Sequence, residues 1–197
     1  MTPKQIERIQ KKIARIRQTL AAEKRRFGCY DDSRGLRYLS TQYFIQLGDY
    51  AGGLRYTRWF EKNFPDDCGF PAFLFEWTII LFKTGKTKAA EKKAFQTFCS
   101  NIWLFDKYFG KITIPFGKLE GSNKAIPAFI EDFPYSSEQV ELADFSNWLI
   151  ALLNTPDFIL LSKKYIDIQI RLITERDLDT RYYLVHTATE LEQTFKL

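Results

Sequence analysis

Residues 38–47 read Tyr38-Leu39-Ser40-Thr41-Gln42-Tyr43-Phe44-Ile45-Gln46-Leu47, and the chain then turns through Gly48-Asp49-Tyr50 into a second amphipathic run ending at Phe64-Pro65-Asp66-Asp67. The pattern recurs from Phe73 to Thr84, through a turn at Gly85-Lys86-Thr87, and on from Lys88 to Phe98. Gly48 and Gly85 stand 37 positions apart, and at the same offset Thr41 matches Thr78 and Gly53 matches Ala90. Small residues thus recur where two helices must touch. The stretch from Tyr38 to Ser100 is therefore read as two helical hairpins, the second a shifted copy of the first. A glycine at each turn relieves the steric cost of the left-handed conformation that ends a helix. Asp49 is placed to cap the following helix, and Pro65 stops it.

On the N-terminal side, Ile6, Ile9, Ile13, Ile16 and Leu20 form a narrow apolar seam on a helix from about Thr2 to Arg26. Lys4, Arg8, Lys11 and Arg15 form a second stripe on the opposite face. Two uses of this helix stay open. Its seam packs on its own domain with the basic side chains in water, or it meets a partner, as a homodimer through a short coiled coil or as a nucleic-acid contact. Gly28 breaks the helix, and Asp32 or Ser33 caps the next; Asp31 and Asp32 have no third ligand nearby that would favour a metal.

On the C-terminal side a third unit starts at Ile102-Trp103-Leu104-Phe105, but Gly110, Pro115, Gly117, Gly121 and Pro127 interrupt it. Residues 111–135 read as a long connection, with a short strand at 111–114 as an option. Ser136-Ser137 then caps a helix to about Asn154, with Val140, Leu142, Phe145, Trp148, Leu149 and Leu152 inward. Thr155-Pro156-Asp157 opens another to about Glu175, and Asp179-Thr180 a last one through Phe195. The organisation expected is one compact domain: a basic amphipathic helix (1–27), helical hairpins (28–110), the connection (111–135) and a helical cap (136–197).

The chain of 197 residues is 45% apolar, 27% charged and 16% aromatic, with 18 Phe. Those rings fill helix interfaces or wait for a partner. Nine basic side chains against two acidic ones in residues 1–26 give that helix +7, which leaves −2 for the rest of a chain whose net charge is +5. Cys29, Cys68 and Cys99 are few, odd in number and widely spaced, so a reducing, cytoplasmic setting is expected. The longest nearly apolar run, Phe70 to Phe82, contains Glu76 and falls short of the roughly 20 residues a membrane span needs.

The hairpin residues resemble tetratricopeptide repeats, in which helix-turn-helix units of about 34 residues stack. Gly48-Asp49-Tyr50 through Leu54, Tyr56 and Pro65-Asp66-Asp67 follows that family's turn, second helix and closing proline. The departures are Arg37 at the opening position, Ser40-Thr41 for a Leu-Gly pair, and extra linker residues within Cys68-Gly69-Phe70-Pro71. The resemblance covers residues 38–100. It implies an all-α, right-handed superhelical stack of hairpins, with the C-terminal helices capping the exposed end. It also implies a groove lined by Tyr38, Gln42, Ile45 and Gln46 from the first unit and by Phe75, Ile79, Phe82 and Lys83 from the second. Some relatives grip a carboxylate there with lysine and asparagine, where this chain has Tyr38 and Gln42. The C-terminal helices or the 111–135 connection are the other candidates to fill that groove.

Thr84-Gly85-Lys86-Thr87 imitates the end of a phosphate loop, but Ile80 stands where the motif requires its first glycine. His186 has no nucleophile in a recognisable local motif, and the acidic residues form no metal-binding pattern. No catalytic residue, metal or cofactor is assigned. The function expected is a non-catalytic scaffold holding a peptide or helix of another protein. A nucleic-acid or ribosome-associated protein using Lys4, Arg8, Lys11 and Arg15 is the alternative.

Overall fold

The structure is a computed structural model and describes residues 1–30, 34–112 and 126–195; among them are nine α-helices and no strand. The first, α1 (Pro3–Phe27), opens with a reciprocal cap: the Thr2 hydroxyl accepts from the Gln5 amide, and the Gln5 side chain accepts from the Thr2 amide at 2.7 Å. Gly28 closes it at φ +75°. The expected caps at Asp32 or Ser33 lie outside the described residues. A 3-10 turn (Leu36–Tyr38) leads into α2 (Leu39–Leu47), followed by α3 (Tyr50–Asn63), α4 (Pro71–Lys83) and α5 (Thr87–Ser100). Gly48 and Gly85 take the left-handed conformation at the two turns, at φ +67° and +70°. Asp49 accepts from the Gly52 amide at 2.8 Å as expected of a cap.

These helices pack in succession: α2 on α3 and α4, α3 on α4, and α4 on α5. The small positions set their spacing. A Cβ on Gly53 would stand 2.9 Å from Ile80 Cδ1, so a side chain there would force Ile80 to shift where α3 meets α4. Thr41, Thr78 and Ala90 are fully buried. The apolar seam of α1 is covered by its own chain, with Ile13, Ile16 and Leu20 buried and Ile13 clustered with Phe44 and Tyr56. The other two seam residues, Ile6 and Ile9, stay partly exposed.

Beyond α5, where the sequence suggests a third unit, the structure has only the short helix α6 (Leu104–Tyr108). Lys111 and Ile112 carry no regular structure, and the rest of the optional strand, like residues 113–125 of the connection, lies outside the described residues. From Ile126 the chain is pinned, since Asn101 Nδ2 donates to the Ile126 carbonyl (3.0 Å) and the Ser137 amide to that of Tyr108 (2.9 Å). The helix expected from Ser136 starts later. Gln139 and Ser136 bond each other locally, a 3-10 turn covers Val140–Leu142, and α7 runs Ala143–Leu153. Val140, expected inward, is 87% exposed. α8 (Pro156–Thr174), capped by Thr155, and α9 (Leu178–Thr194), capped by Asp177, complete the chain and pack on α5.

The centre of the core is α4. Apolar on nearly every side, it offers no single buried face and is enclosed by α2, α3, α5 and α7. Phe75 meets the rings of Phe105, Tyr108, Phe133, Tyr135 and Phe145 at centroid distances between 4.9 and 6.3 Å. Much of the aromatic content is thus interior packing.

Candidate functional site

The eight groove residues fall into two groups. Phe75 and Ile79 are completely buried, roofed by α6, α7 and the 133–135 segment. Phe82 stacks on Trp148 at 4.9 Å, and Lys83 donates to the Glu141 carbonyl (2.8 Å) and to Asp144 Oδ1 (2.5 Å). The second-unit half of the expected groove is therefore filled by the protein's own C-terminal half. The physical reason is that a helix apolar all round needs cover on every side. Gln42, Ile45 and Gln46 border a depression of about 390 Å³ facing Pro134 and Gln139. Tyr38 and Gln42 also line a larger pocket of about 720 Å³.

That larger pocket lies between the start of α2, the first half of α4 and the segment around Phe129 and Pro134. Its rings are ordered: Tyr38 meets Phe70 edge-on at 4.6 Å, and Phe70 lies parallel to Phe129 at 5.7 Å. One wall is fixed by ions. Arg37 Nε donates to Asp67 Oδ2 (2.7 Å), and the Tyr38 hydroxyl donates to Asp67 Oδ1 (2.6 Å). Burial pushes the Asp67 carboxyl up, but bonds from Tyr38, the Gly69 amide and Arg37 outweigh it and hold the group below its ordinary value. The same surroundings raise the Tyr38 phenol, burial first, then its hydrogen bond to Asp67 and the Asp67 charge.

Glu76, which also lines the pocket, is a carboxyl inside the core, 5% exposed. Thr41 Oγ1 lies 2.5 Å from its Oε2, and the Tyr135 hydroxyl donates to its Oε1 at 3.0 Å. Desolvation raises its pKa, the bonds from Thr41, Tyr135 and the Gln42 amide pull it back, and the balance is about 7. Such a group can hold or release a proton near neutrality, and a cation brought beside it would favour the charged form. In the sequence Glu76 registered only as the charge interrupting an apolar run. The signal available there was physical: an acid in a helix buried all round must find partners inside the core.

The other candidates stay apart. Lys4, Arg8, Lys11 and Arg15 are all exposed along α1, and Lys11 pairs with Glu7 at 2.7 Å. His186 is exposed and touches only the Tyr182 ring among the described contacts, at 4.4 Å. Cys29 and Cys68 are exposed and Cys99 buried, all three as free thiols. Among the described residues no three His, Cys, Asp or Glu side chains gather as metal ligands, and no helix is long and apolar enough to cross a membrane.

The fold and this pocket define an all-α protein of packed helix pairs with a ring-lined cleft over a buried carboxyl. Compared with protein families, with curated proteins and with solved structures, the chain gives no match in any of the three.

Proposed function

We propose that this protein is an interaction module of tetratricopeptide-like architecture that holds a short peptide segment of another protein, without transforming it. The observation that carries the reading is the pocket beside Tyr38 and Gln42: it keeps the expected first-unit end of the groove open while Phe75, Ile79 and Phe82 are packed inside. The duplicated small positions, Thr41 with Thr78 and Gly53 with Ala90, and the order in which α2, α3, α4 and α5 pack support the repeat architecture. Rings on three sides supply apolar contact, and Gln42 supplies hydrogen bonds that set direction.

Selection of random peptides on the full chain, followed by binding to Phe129→Ala and Gln42→Ala variants, tests this. The expected result is a set of peptides that lose at least about tenfold in affinity on the variants, or about 1.4 kcal/mol. Peptides indifferent to both substitutions, or none selected, would remove the reading.

A second reading keeps one observation behind it. Lys4, Arg8 and Arg15 are exposed and make no ion pair among the described residues, and Arg17 and Arg55 line one depression between α1 and α3. This basic face suits a phosphate backbone. Its mark would be salt-sensitive retention of nucleic acid that disappears when Lys4, Arg8, Lys11 and Arg15 become Gln.

A further inference from the structure

The charges around the large pocket do not cancel. Arg37 is matched by Asp67 at 2.7 Å, and Arg34 on the rim by Glu23 at 3.4 Å. Two acids lining the same pocket, Glu76 within and the exposed Asp132 at its edge, have no basic partner among the described residues. Once the paired charges are set aside, the pocket is acidic. Its walls are the rings of Tyr38, Phe70, Phe73 and Phe129.

We propose that this pocket takes the cationic side chain of a lysine or arginine of the bound peptide, with Glu76 and Asp132 as counter-charges and the aromatic rings as its flanks. The proposal rests on the peptide-binding reading and names what that peptide must carry. Aromatic faces attract ammonium and guanidinium groups, and the fold already uses this contact internally, with Lys93 3.9 Å from the centre of the Trp77 ring and Arg37 4.5 Å from that of Tyr38. The space of about 720 Å³ is ample for such a side chain with its flanking backbone.

The hydrogen bonds around Glu76 show how a cation would be registered. Thr41 has one hydroxyl hydrogen and two acceptors in reach, the Tyr38 carbonyl at 3.1 Å and Glu76 Oε2 at 2.5 Å. With Glu76 neutral, its carboxyl hydrogen goes to Thr41 and the Thr41 hydrogen to Tyr38, so every group is satisfied. With Glu76 ionised, Thr41 turns to the carboxylate and the Tyr38 carbonyl gives up that bond. With the pocket empty, burial favours the proton and the bonds from Thr41, Tyr135 and the Gln42 amide favour the charge, so near pH 7 the carboxyl is divided between the two forms. An arriving cation replaces the proton: Glu76 loses H+ to solvent, and the new charge pair takes over its role.

The test titrates the full chain at pH 7 with N-acetyl-lysine methylamide and N-acetyl-arginine methylamide, using N-acetyl-norleucine methylamide as the neutral control. NMR shifts of the Tyr38, Phe70 and Phe129 rings report binding, and calorimetry in buffers of different ionisation enthalpy reports proton release. The cationic probes are expected to bind at least tenfold tighter than norleucine and to release about half a proton, as a carboxyl titrating near that pH requires. Glu76→Gln should abolish the release and weaken the cationic probes alone. Asp132→Asn, at an exposed position whose change leaves the core intact, should weaken them several-fold with release retained. Equal binding of norleucine, or cationic binding unchanged in both variants, overturns the proposal. Selected peptides with no enrichment in lysine or arginine also overturn it while leaving the peptide module standing. Tight cationic-probe binding with no peptide selected supports the cation site and removes the module.

Discussion

A single carboxyl, Glu76, ties three parts of the chain together, since α4 carries it, α2 reaches it through Thr41, and Tyr135 arrives from 59 residues away. Its proton affinity makes a stability prediction whose sign can be worked out. The folded group keeps its proton up to about pH 7, whereas the ordinary carboxyl value is 4.5. Between those values the native state binds more protons than the unfolded one, so stability falls as pH rises through the window and levels off above it. At 1.36 kcal/mol per unit the full effect is roughly 3 kcal/mol. Glutamine keeps the neutral pattern, its amide donating to Thr41 and its oxygen accepting from Tyr135. Glu76→Gln should therefore be more stable than the parent by about 2 to 3 kcal/mol at pH 8, and the difference should close below the ordinary carboxylate range. Urea unfolding across pH measures it; a Gln variant that is weaker at pH 8 would show that the native state holds Glu76 ionised.

At the scale of elements, what the sequence disclosed and what it concealed divide by range. Caps are local, so Thr2, Asp49 and Thr155 mark helix starts that the structure bears out. The start of α7 is the exception to that division: a helical period extends backwards over Val140 with nothing to stop it, and the bonds between Ser136 and Gln139 that delay the helix are local but leave no mark in the residue pattern. The pocket was half legible, through Tyr38 and Gln42. Its other half comes from Phe129, Asp132 and Pro134, whose position depends on the long-range bonds that pin their segment. α1 raises a question of the same kind, because its seam suited either its own domain or a second copy. Leu20 is 1% exposed, and such a leucine loses transfer energy and leaves a cavity when truncated. Leu20→Ala should destabilise the monomer by about 2 to 5 kcal/mol, read as a denaturation midpoint independent of protein concentration. A midpoint that rises with concentration would place the seam between copies instead.

For the molecule as a whole, the decisive arrangement is that the C-terminal half closes over α4. Lys83 reaches Asp144 across the closure, Trp148 covers Phe82, and five rings surround Phe75. Residues that a stack of hairpins would leave facing a partner are thereby turned into the interior. The peptide site proposed above is the ring-lined opening beside Tyr38 and Gln42, outside that closure. Stability and binding should separate accordingly. Phe75→Ala removes a fully buried ring that touches elements from both halves, and should cost about 3 to 5 kcal/mol of stability. Phe129 is 41% exposed and its ring makes one face-to-face contact, with Phe70, so Phe129→Ala should cost no more than about 1 kcal/mol while weakening peptide capture at least about tenfold. Thermal unfolding and peptide titration of the two variants side by side make the comparison. A Phe75→Ala protein that stays as stable as the parent but stops binding would mean that the closure over α4 opens to admit the partner, and the binding surface would then be the inner face itself.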